Sequence, residues 1–524
     1  MIIHFKSKPK RFVFSILFFI FLLAAGVKGY PQGNVDLAQL DSYIEAARKD
    51  WKIPGMAAAI VKDGQVVLAK GYGLKEFSKP GKVDEKTLFA IASNTKAFTA
   101  ATLAILVEEE KIKWNHRVRE YLPYFKLYDP YVTEEMRVRD LLCHRCGLGT
   151  FSGDLLWYET PYSTVEVIKR AQYLKPSSSF RSGYGYSNIM FMAAGEIIPA
   201  VTGKPWKDFV IERIFKPLGM ETTNVGTSEL KKYQNVATPH YVYSDGKTVT
   251  ISYTTSDQIS AAGGINSNVS DMARWLIMLL NDGTHENKQI LSETSIEEMW
   301  TPHTVIPLSG SSKELFPSTH FRSYGLGWVL LDYHGRKIIY HSGGLDGMIS
   351  RVAMVPEIKL GLVVLTNSMN DLPKALMYRI IDTYLGVTPK DWSRIYLDRY
   401  RESAEKEKQR AAEITKKKKK TRYPVKLEDY TGLYGGPMYG DARVSLENKK
   451  LVLRFLPAPV FISDLSHLHY DTFQLKLRNT LSFIPHGIGT VQFIRDKDGN
   501  VVEMKVDIPN RDFWFDELEF KMKE

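Results

Sequence analysis

Two residues that could act together in catalysis, Ser93 and Lys96, lie three positions apart in the segment "LFAIASNTKAFT". The apolar residues that follow have helical spacing, so Ser93 falls in the first turn of a predicted helix and Lys96 lies one turn later on the same face. A serine hydroxyl becomes a nucleophile when a neighbouring base takes its proton. A lysine can be that base if burial or another cation suppresses its charge.

The Ser-x-x-Lys spacing is not sufficient evidence for such a site. Ser7/Lys10 and Ser228/Lys231 have the same spacing, and neither pair opens an apolar helix. A lone match is more often a helix-start serine beside a solvated lysine. Other residues must therefore converge on Ser93.

A second motif is Tyr-Ser-Asn at residues 186–188, directly before another apolar helical segment. A phenol with a lowered pKa can act as general base, so Tyr186 is a candidate. The carboxamide of Asn188 can hold a lysine or a substrate carbonyl. The motif is weak on its own, because Tyr233 and Asn235 match the same pattern.

A third motif ends a predicted strand, where His341 is followed by Ser342, Gly343 and Gly344. Small residues at a strand edge leave room for a substrate backbone. A single histidine is more often a structural or surface residue, so this motif also needs the other two.

The elements that must position these residues are strands at both ends of a domain and helices between them. Residues 56–73 predict a hairpin turning at Asp63-Gly64. Helical patterns dominate to about residue 220, and strand patterns return in four segments before a last helix. The pattern indicates one antiparallel sheet covered by helices, with a helical subdomain and the cleft between them. The late strands are predicted at 324–331, 336–343, 350–356 and 360–368, and the last helix at 372–385.

The first 29 residues predict a secretory signal peptide, because cations precede the 14-residue apolar run "FVFSILFFIFLLAA". A retained membrane anchor is the alternative, although the run is short for a span. We expect a secreted or periplasmic protein.

The net charge of +11 does not indicate a nucleic-acid partner. Residues 1–29 contribute five cations and no acids, and residues 401–422 contribute ten cations against four acids. The remaining chain has about zero net charge and no excess with which to bind a phosphate backbone.

The C-terminal part divides into a linker and a small domain. The segment 396–421 is rich in charge, with five consecutive lysines at 416–420, and predicts a linker that is partly helical. Residues 422–524 contain short strand patterns separated by Gly, Asn and Asp turns, which predict a barrel or a sandwich. The hydrolytic residues would then lie in a domain over 30–395.

The order of the three motifs resembles the penicillin-recognising serine hydrolases, and the surrounding phrases resemble their class C β-lactamase-like branch. That branch also includes esterases, D-aminopeptidases and carboxypeptidase-like proteins. The C-terminal segment, which opens "LEDYTGLY", is similar to an accessory domain, lipocalin-like or sandwich-like, that many members have. The phrases that carry the resemblance are "LFAIASNTKAFTA", "VRDLLCHRCGL", "YSNIMFMAAGEII", "SAAGGINSNVSDMARWL", "YGLGW" and "HSGGLDG".

The resemblance implies a role for each candidate residue. Ser93 would be the acylated nucleophile, activated by Lys96, and Tyr186 would shuttle a proton to the leaving group. Asn188 would hold Lys96 and the substrate amide. The backbone N–H groups of Ser93 and Gly344 would form the oxyanion hole, with Ser342 and Gly343 lining the substrate edge.

Two departures from the family pattern bear on function. His341 stands where β-lactamases usually have a lysine that binds a substrate carboxylate, so anionic β-lactams become less expected substrates. If its pKa is the ordinary one of about 6.5, attraction to a carboxylate should strengthen near pH 6. Arg351, on the next strand, is an alternative cation for a carboxylate. Cys143 and Cys146 replace hydroxyl residues, and free thiols, a disulfide or a metal or redox role stay open.

The sequence thus predicts an exported serine hydrolase that cleaves an ester or amide, possibly in a D-residue peptide, through an acyl-enzyme. A D-Ala-D-Ala carboxypeptidase or weak class C-type β-lactamase is the first alternative, and a non-catalytic peptidoglycan-binding or sensing protein is the second. The expected partner is a small-molecule or peptide substrate. The chemistry requires neither a metal nor a cofactor, and the oligomeric state is left open.

Overall fold

An eight-stranded antiparallel sheet forms the centre of the chain before residue 420. The computed structural model describes residues 35–243, 246–419 and 426–523. The strands before residue 420 are β1 (Gly55–Lys62), β2 (Gln65–Gly73), β3 (Phe89–Ala90), β4 (Asn224–Val225), β5 (His240–Val242), β6 (Thr248–Thr250), β7 (Ile265–Ser267), β8 (Thr284–His285), β9 (Lys288–Gln289), β10 (Thr304–Val305), β11 (Arg322–Tyr324), β12 (Val329–Tyr333), β13 (Arg336–Leu345), β14 (Met348–Val355) and β15 (Leu360–Thr366). The order in the large sheet is β10-β11-β12-β13-β14-β15-β1-β2.

The hairpin of β1 and β2 turns where the sequence predicts it. Asp63 and Gly64 both have positive φ angles, 51° and 76°, as a tight two-residue hairpin turn requires. Strand β1 then pairs with β15, which is about 300 residues later in the chain. The N-terminal strand pair is therefore built into the sheet by the last strand of the domain.

Helices cover both faces of this sheet. Alternate residues of β1 belong to two separate hydrophobic cores, so the strand is buried on both sides. The helices are α1 (Leu37–Asp50), α2 (Thr95–Glu108), α3 (Pro130–Glu135), α4 (Val138–Leu141), α5 (Thr164–Arg170), α6 (Asn188–Thr202), α7 (Trp206–Val210), α8 (Thr227–Leu230), α9 (Ser260–Gly263), α10 (Val269–Leu280), α11 (Glu293–Met299), α12 (Gly310–Leu315), α13 (Leu372–Leu385) and α14 (Trp392–Lys416). Helices α1 and α13 pack on one face, and α2, α6 and α10 belong to the core on the other.

The strand predicted over 324–331 is wrong as a single element. Strand β11 ends at Tyr324 and β12 begins at Val329, with a turn between them. Gly327 has a φ of 78°, and a Cβ on it would lie 2.7 Å from the carbonyl oxygen of Lys96. The turn exists because the backbone must pass close to α2, which only glycine allows at this position.

Helix α14 occupies most of the segment predicted as a charged linker. Its N-terminal residue Trp392 is buried against α13, and Ala411 and Ile414 near its C-terminus are also buried. Thr415 Oγ1 accepts a hydrogen bond of 2.7 Å from Gln474 Nε2 in the following domain. The helix thus contacts both parts of the molecule.

The C-terminal part is a closed eight-stranded antiparallel barrel, which confirms the barrel alternative of the sequence analysis. A cluster of aromatic residues that includes Tyr430, Phe473 and Phe493 fills its interior. The barrel strands are β16 (Gly432–Gly436), β17 (Gly440–Glu447), β18 (Lys450–Phe455), β19 (Ile462–His469), β20 (Thr472–Leu477), β21 (Ile488–Arg495), β22 (Val501–Asp507) and β23 (Phe520–Lys523).

The predicted signal peptide, residues 1–29, lies outside the described residues. Within the described residues, no helix combines the length and the apolar character needed to cross a membrane.

Candidate active site

Ser93 and Lys96 lie at the start of a helix that is buried on every side. Ser93 is in the 3-10 turn Ala92–Asn94, directly before α2. All residues of α2 from Thr95 to Leu106 are buried, as expected for a helix with apolar residues around its whole circumference. The Nζ atom of Lys96 lies 3.1 Å from the Oγ atom of Ser93, so the structure brings the predicted pair together.

The Lys96 amine has two further polar contacts. Its Nζ donates to Asn188 Oδ1 at 2.6 Å and to the carbonyl oxygen of Ala262 at 2.8 Å. Lys96 is 0% exposed, and burial lowers the pKa of its amine to about 7, against the opposing attraction of the Asp154 carboxylate. The amine can therefore lose its proton near neutral pH.

Asp154 is a member of this network that the sequence analysis missed. Asn188 Nδ2 donates to Asp154 Oδ2 at 2.7 Å, so the carboxamide links the carboxyl group to Lys96. Burial raises the pKa of Asp154 to about 7. No local motif surrounds this aspartate in the sequence, and only the fold places it beside Asn188.

Tyr186 contacts the same pair from the other side. Its ring centroid lies 4.8 Å from Lys96 Nζ, and the neighbouring Ser93 side chain favours a lower pKa of its phenol. Burial nevertheless raises the pKa of Tyr186 well above its ordinary value. The phenol of Tyr186 therefore does not have the lowered pKa that would favour a general base. At neutral pH Tyr186 is a neutral phenol that can relay a proton.

His144, within the phrase "VRDLLCHRCGL", holds Tyr186 in place. Its imidazole lies 4.1 Å from the Tyr186 ring, centroid to centroid, and its Nδ1 accepts a 3.0 Å hydrogen bond from the backbone N–H of Ser187. Because Nδ1 is an acceptor, the neutral ring bears its proton on Nε2. The sequence analysis gave His144 no role.

His341 is buried and neutral. Its Nε2 lies 2.8 Å from the hydroxyl of Tyr324, and its Nδ1 lies 2.7 Å from the carbonyl oxygen of Ser342. Burial, together with a smaller contribution from the charge of Lys96, lowers its pKa to about 3. The expectation that His341 gains charge near pH 6 is therefore wrong. The imidazole stays uncharged over the whole range in which the enzyme would be assayed.

The small residues after His341 lie against the Ser93 turn. A Cβ on Gly343 would lie 2.1 Å from the carbonyl oxygen of Ile91 and 2.8 Å from the amide nitrogen of Ser93, so no larger residue fits. Asn94 Nδ2 donates to Ser350 Oγ at 2.7 Å, which fixes the turn to β14. Strand β13 and the Ser93 amide therefore approach each other as an oxyanion hole requires.

One edge of β13 is available to a substrate. Strand β12 pairs with β13 only as far as Tyr340, whereas β14 pairs with it as far as Leu345. Residues 341–345 therefore have no strand partner on the β12 side within the described residues. An extended substrate can pair with this edge through its backbone.

The cavity beside Ser93 has a volume of about 550 Å³, within the usual range for small-molecule sites. Its lining includes all the predicted side chains of the site except that of Lys96, which lies behind them. Three cations, Arg322, Arg351 and Lys374, line another part of the wall. No salt bridge joins any of the three to a described carboxylate. Burial and the charge of Arg351 lower the pKa of Lys374 to about 8.

The barrel also contributes to this cavity, which the sequence analysis did not predict. Phe483, Asp512 and Phe513 line it together with Ser93 and Tyr186. These residues are more than 290 positions from Tyr186 in the chain, and no sequence motif connects them with the site.

Cys143 and Cys146 are free, buried thiols. Burial raises the pKa of Cys143 to about 12 and that of Cys146 to about 11, so both are unreactive at neutral pH. Within the described part of the chain, no group of three or more His, Cys, Asp or Glu side chains could hold a metal ion.

Comparison with known proteins identifies the family. A family model described as "Beta-lactamase" matches residues 40–383. The chain belongs to the β-lactamase family. The members of this family are hydrolases. A second family model, "Domain of unknown function (DUF3471)", matches residues 416–522 of the chain.

Three proteins show the similarity of this β-lactamase-family chain in sequence or in fold. Unguisins hydrolase ungD' of Aspergillus campestris is 30% identical over 430 residues, which cover 77% of this chain and 76% of the relative. The octameric penicillin-binding protein homologue of Pyrococcus abyssi has a TM-score of 0.62 and 23% identity, covering 93% of this chain and 100% of that one. The D-amino acid amidase of Ochrobactrum anthropi SV3 has a TM-score of 0.52 and 25% identity, covering 66% of this chain and 98% of that one.

Proposed function

We propose that this protein is a serine hydrolase that cleaves an ester or an amide through an acyl-enzyme on Ser93. The observation that carries the proposal is the arrangement around Lys96 Nζ. A neutral amine has two N–H groups and one lone pair, and Asn188 Oδ1 and the Ala262 carbonyl accept both N–H groups. The lone pair is then left for the Ser93 hydroxyl, 3.1 Å away.

The proposed reaction follows from that arrangement. Ser93 O–H donates to Lys96, and as the proton moves to Nζ, Oγ attacks the substrate carbonyl. The backbone N–H groups of Ser93 and Gly344 would stabilise the developing oxyanion. Tyr186 passes a proton to the leaving group and is reprotonated from Lys96, so the acyl-enzyme forms with no net change of charge at the site. Water then releases the acyl group through the same residues.

Labelling with a fluorophosphonate tests this proposal. We expect one adduct per chain, located on Ser93 by peptide mass mapping, and no adduct in Ser93→Ala. An adduct on another residue would refute the assignment. Absence of any adduct, together with absence of ester hydrolysis, would favour a non-catalytic binding protein.

A second candidate function is favoured by three cations of the cavity wall that have no salt bridge with a described carboxylate. Arg322, Arg351 and Lys374 offer positive charge to a substrate carboxylate although His341 does not. A D-Ala-D-Ala carboxypeptidase or a weak β-lactamase would use the same Ser93 chemistry on such an anion. Comparison of a p-nitrophenyl ester, a D-Ala-D-Ala peptide and a chromogenic cephalosporin separates these functions. We expect the neutral ester to be hydrolysed fastest.

We also propose that the protein is exported, because of the charge and apolar pattern of residues 1–29. N-terminal sequencing of the mature protein should then begin near residue 30. An intact N-terminus in a membrane fraction would instead favour the anchor.

A further inference from the structure

A second cavity, separate from the one beside Ser93, is lined by arginines. Its volume is about 470 Å³, within the usual range for small-molecule sites. It shares no lining residue with the active-site cavity, and no carboxylate of the described residues lines it. The residues that line this arginine cavity are Asn115, Arg137, Arg139, Arg145 and Arg181.

One buried carboxylate holds two of these arginines in place. Asp140 is 0% exposed, and its Oδ1 accepts a 2.6 Å hydrogen bond from Arg145 Nε. Its Oδ2 accepts another of 2.6 Å from Arg181 Nη2. Because a guanidinium is planar and rigid, these contacts fix the direction in which the remaining N–H groups point. Arg145 and Arg181 are therefore preorganised around one acid that does not itself line the cavity.

A second carboxylate is shared in the same way. Glu135 Oε2 accepts a 2.8 Å hydrogen bond from Arg137 Nη2, and Glu135 Oε1 lies 2.5 Å from Arg117 Nη2. Arg137 Nη1 also donates to the carbonyl oxygen of Asn115 at 3.1 Å. Arg137 is thus held beside the cavity by a carboxylate whose charge a further arginine also uses.

Several guanidinium nitrogens around the cavity lack acceptors. Arg139 Nη1 forms an ion pair of 3.0 Å with Glu298, but its Nε is buried with no hydrogen-bond partner. Arg145 Nη2 and Arg181 Nη1 also have no acceptor among the described residues. Donors withdrawn from bulk water cost free energy unless an acceptor reaches them. A ligand with several acceptor oxygens would supply what the protein does not.

The charges indicate which acceptor group fits. Five arginines around the cavity form ion pairs with only three carboxylates, Glu135, Asp140 and Glu298, which leaves a surplus of two positive charges. A carboxylate on a ligand would neutralise one of them. A phosphate monoester has a charge of about −1.5 to −2 at pH 7 and three strong acceptor oxygens, and its geometry matches the guanidinium fork.

We propose that the arginine cavity binds a small organic molecule through a phosphate monoester group. The phosphate would contact the guanidinium groups, and the organic part would occupy the rest of the cavity. This binding site is additional to the proposed hydrolytic function and does not depend on the chemistry of Ser93.

The arginine cavity lies against the segments that position Tyr186. Arg145 directly follows His144, and its carbonyl oxygen accepts a 2.9 Å hydrogen bond from the backbone N–H of Arg181. The carbonyl oxygen of His144 accepts another of 2.9 Å from Gly185, the residue before Tyr186. A ligand that joins Arg145 to Arg181 would also hold these two segments together. Ligand binding should therefore raise the melting temperature.

Isothermal titration with matched sugars tests the inference. Glucose 6-phosphate has the monoester, glucuronate has a carboxylate, and glucose has neither. In about 0.15 M NaCl, where exposed charges are screened, we expect one glucose 6-phosphate per chain, at least about tenfold weaker binding of glucuronate and no binding of glucose. Inorganic phosphate should bind more weakly than the ester. Equal affinity of glucose 6-phosphate and glucuronate, or of glucose 6-phosphate and inorganic phosphate, would overturn the assignment of a monoester.

Substitutions locate the bound ligand. Arg139→Gln should weaken glucose 6-phosphate binding by at least about tenfold, through loss of one charged hydrogen-bonding partner. Arg137→Gln should weaken it too, and it provides a second test if loss of the partner of Glu298 destabilises the fold. Arg119→Gln is the matched control, because Arg119 pairs with Glu134 and does not line the cavity. Unchanged affinity in folded Arg139→Gln and Arg137→Gln, or an equal loss in Arg119→Gln, contradicts the inference.

A last variant separates the arginine cavity from the active-site cavity, which has cations of its own. Arg351→Gln removes one of those cations and should leave the affinity for glucose 6-phosphate unchanged. Loss of binding in Arg351→Gln, with binding retained in Arg139→Gln, would place the phosphate in the active-site cavity and overturn the inference. Ser93→Ala should bind the ligand as the wild-type protein does, so failure of the proposed hydrolysis leaves this result unaffected.

Discussion

Two serine–lysine pairs with the same three-residue spacing differ in their exposure to solvent: Ser93/Lys96 is in the interior and Ser228/Lys231 is on the surface. Lys96 is fully buried and its amine contacts Ser93, Asn188 and Ala262. Ser228 and Lys231 lie on the surface at the short helix α8, and Ser228 donates to the Asp257 carboxylate instead of facing an amine. Water stabilises the charged form of an ammonium group, whereas low-dielectric surroundings favour its neutral form. The comparison indicates that burial, and not spacing, distinguishes the serine–lysine pair that we propose to be catalytic.

The largest expected difference between the two pairs is in catalysis. Ser93→Ala should lower kcat/KM for a p-nitrophenyl ester by at least about 10³-fold, because the nucleophile is lost. Ser228→Ala is the matched control and should leave kcat/KM unchanged. Steady-state kinetics of both variants, with circular dichroism to verify folding, measures the difference. Equal activity of the two variants would contradict the assignment.

Substitutions of the two lysines, Lys96 and Lys231, should differ almost as strongly in their effect on kcat. Lys96→Arg keeps the cation but cannot release a proton near neutral pH, so kcat should fall by about 10²- to 10³-fold. Lys231→Arg should have no effect. The rate of fluorophosphonate labelling measures the step in which Lys96 would act. A Lys96→Arg protein that is labelled at the wild-type rate would exclude Lys96 as the base.

A substitution in the strand backbone beside Ser93 should have the next largest effect on kcat/KM. Gly343→Ala should lower kcat/KM by about 10²-fold, because the added methyl group displaces β13 from the Ser93 amide and disturbs the oxyanion hole. Gly310→Ala is the control, since a Cβ there meets no atom within 4 Å. Comparison of kcat/KM in the two variants, measured well below the melting temperature of each, tests whether the close approach of Gly343 to the Ser93 amide supports catalysis.

The pH dependence of Ser93 labelling tests the role of the buried pair in a further way. Labelling of Ser93 should rise with pH through about pH 7, as the Lys96 amine loses its proton. The Asp154 carboxylate favours the charged amine, so Asp154→Asn should shift the rise to lower pH, by about one unit. Asp257→Asn removes the carboxylate beside Ser228 and should leave the profile unchanged. A shift to higher pH in Asp154→Asn would contradict the electrostatic argument.

The smallest effect concerns stability at the surface pair. Ser228→Ala removes one exposed hydrogen bond to Asp257 and should lower the free energy of unfolding by less than about 1 kcal/mol. Urea denaturation monitored by tryptophan fluorescence measures it. A larger loss would show that this contact stabilises more than the local turn.

Patterns that are local in the chain could be predicted from the sequence. The turn at Asp63 and Gly64, the helix after Ser93 and the strand that ends in the His341 motif all follow from residue type and periodicity. Together with the family phrases, they indicated the fold class, which the structure and the family model confirm. The break at Gly327 was missed because it depends on the distance to α2, which no local pattern records.

Residues whose environment is set by distant parts of the chain could not be predicted. Asp154 enters the site through Asn188, and Asp512 enters it from the barrel. The predicted gain of charge at His341 near pH 6 was wrong because burial, which cannot be read from the sequence, dominates the pKa of this imidazole, as it also does for the Tyr186 phenol. The sequence identifies these residues, but it does not show whether water reaches their side chains.

The pairing of β1 with β15 also has a consequence for how the chain folds during synthesis. Residue 360 is made about 300 residues after Gly55, which takes about 15 to 60 s at typical translation rates. During that interval β1 and β2 form at most an isolated hairpin, which is marginally stable in water. The central sheet therefore closes late, and the nascent chain stays without its main core until β15 has emerged from the ribosome.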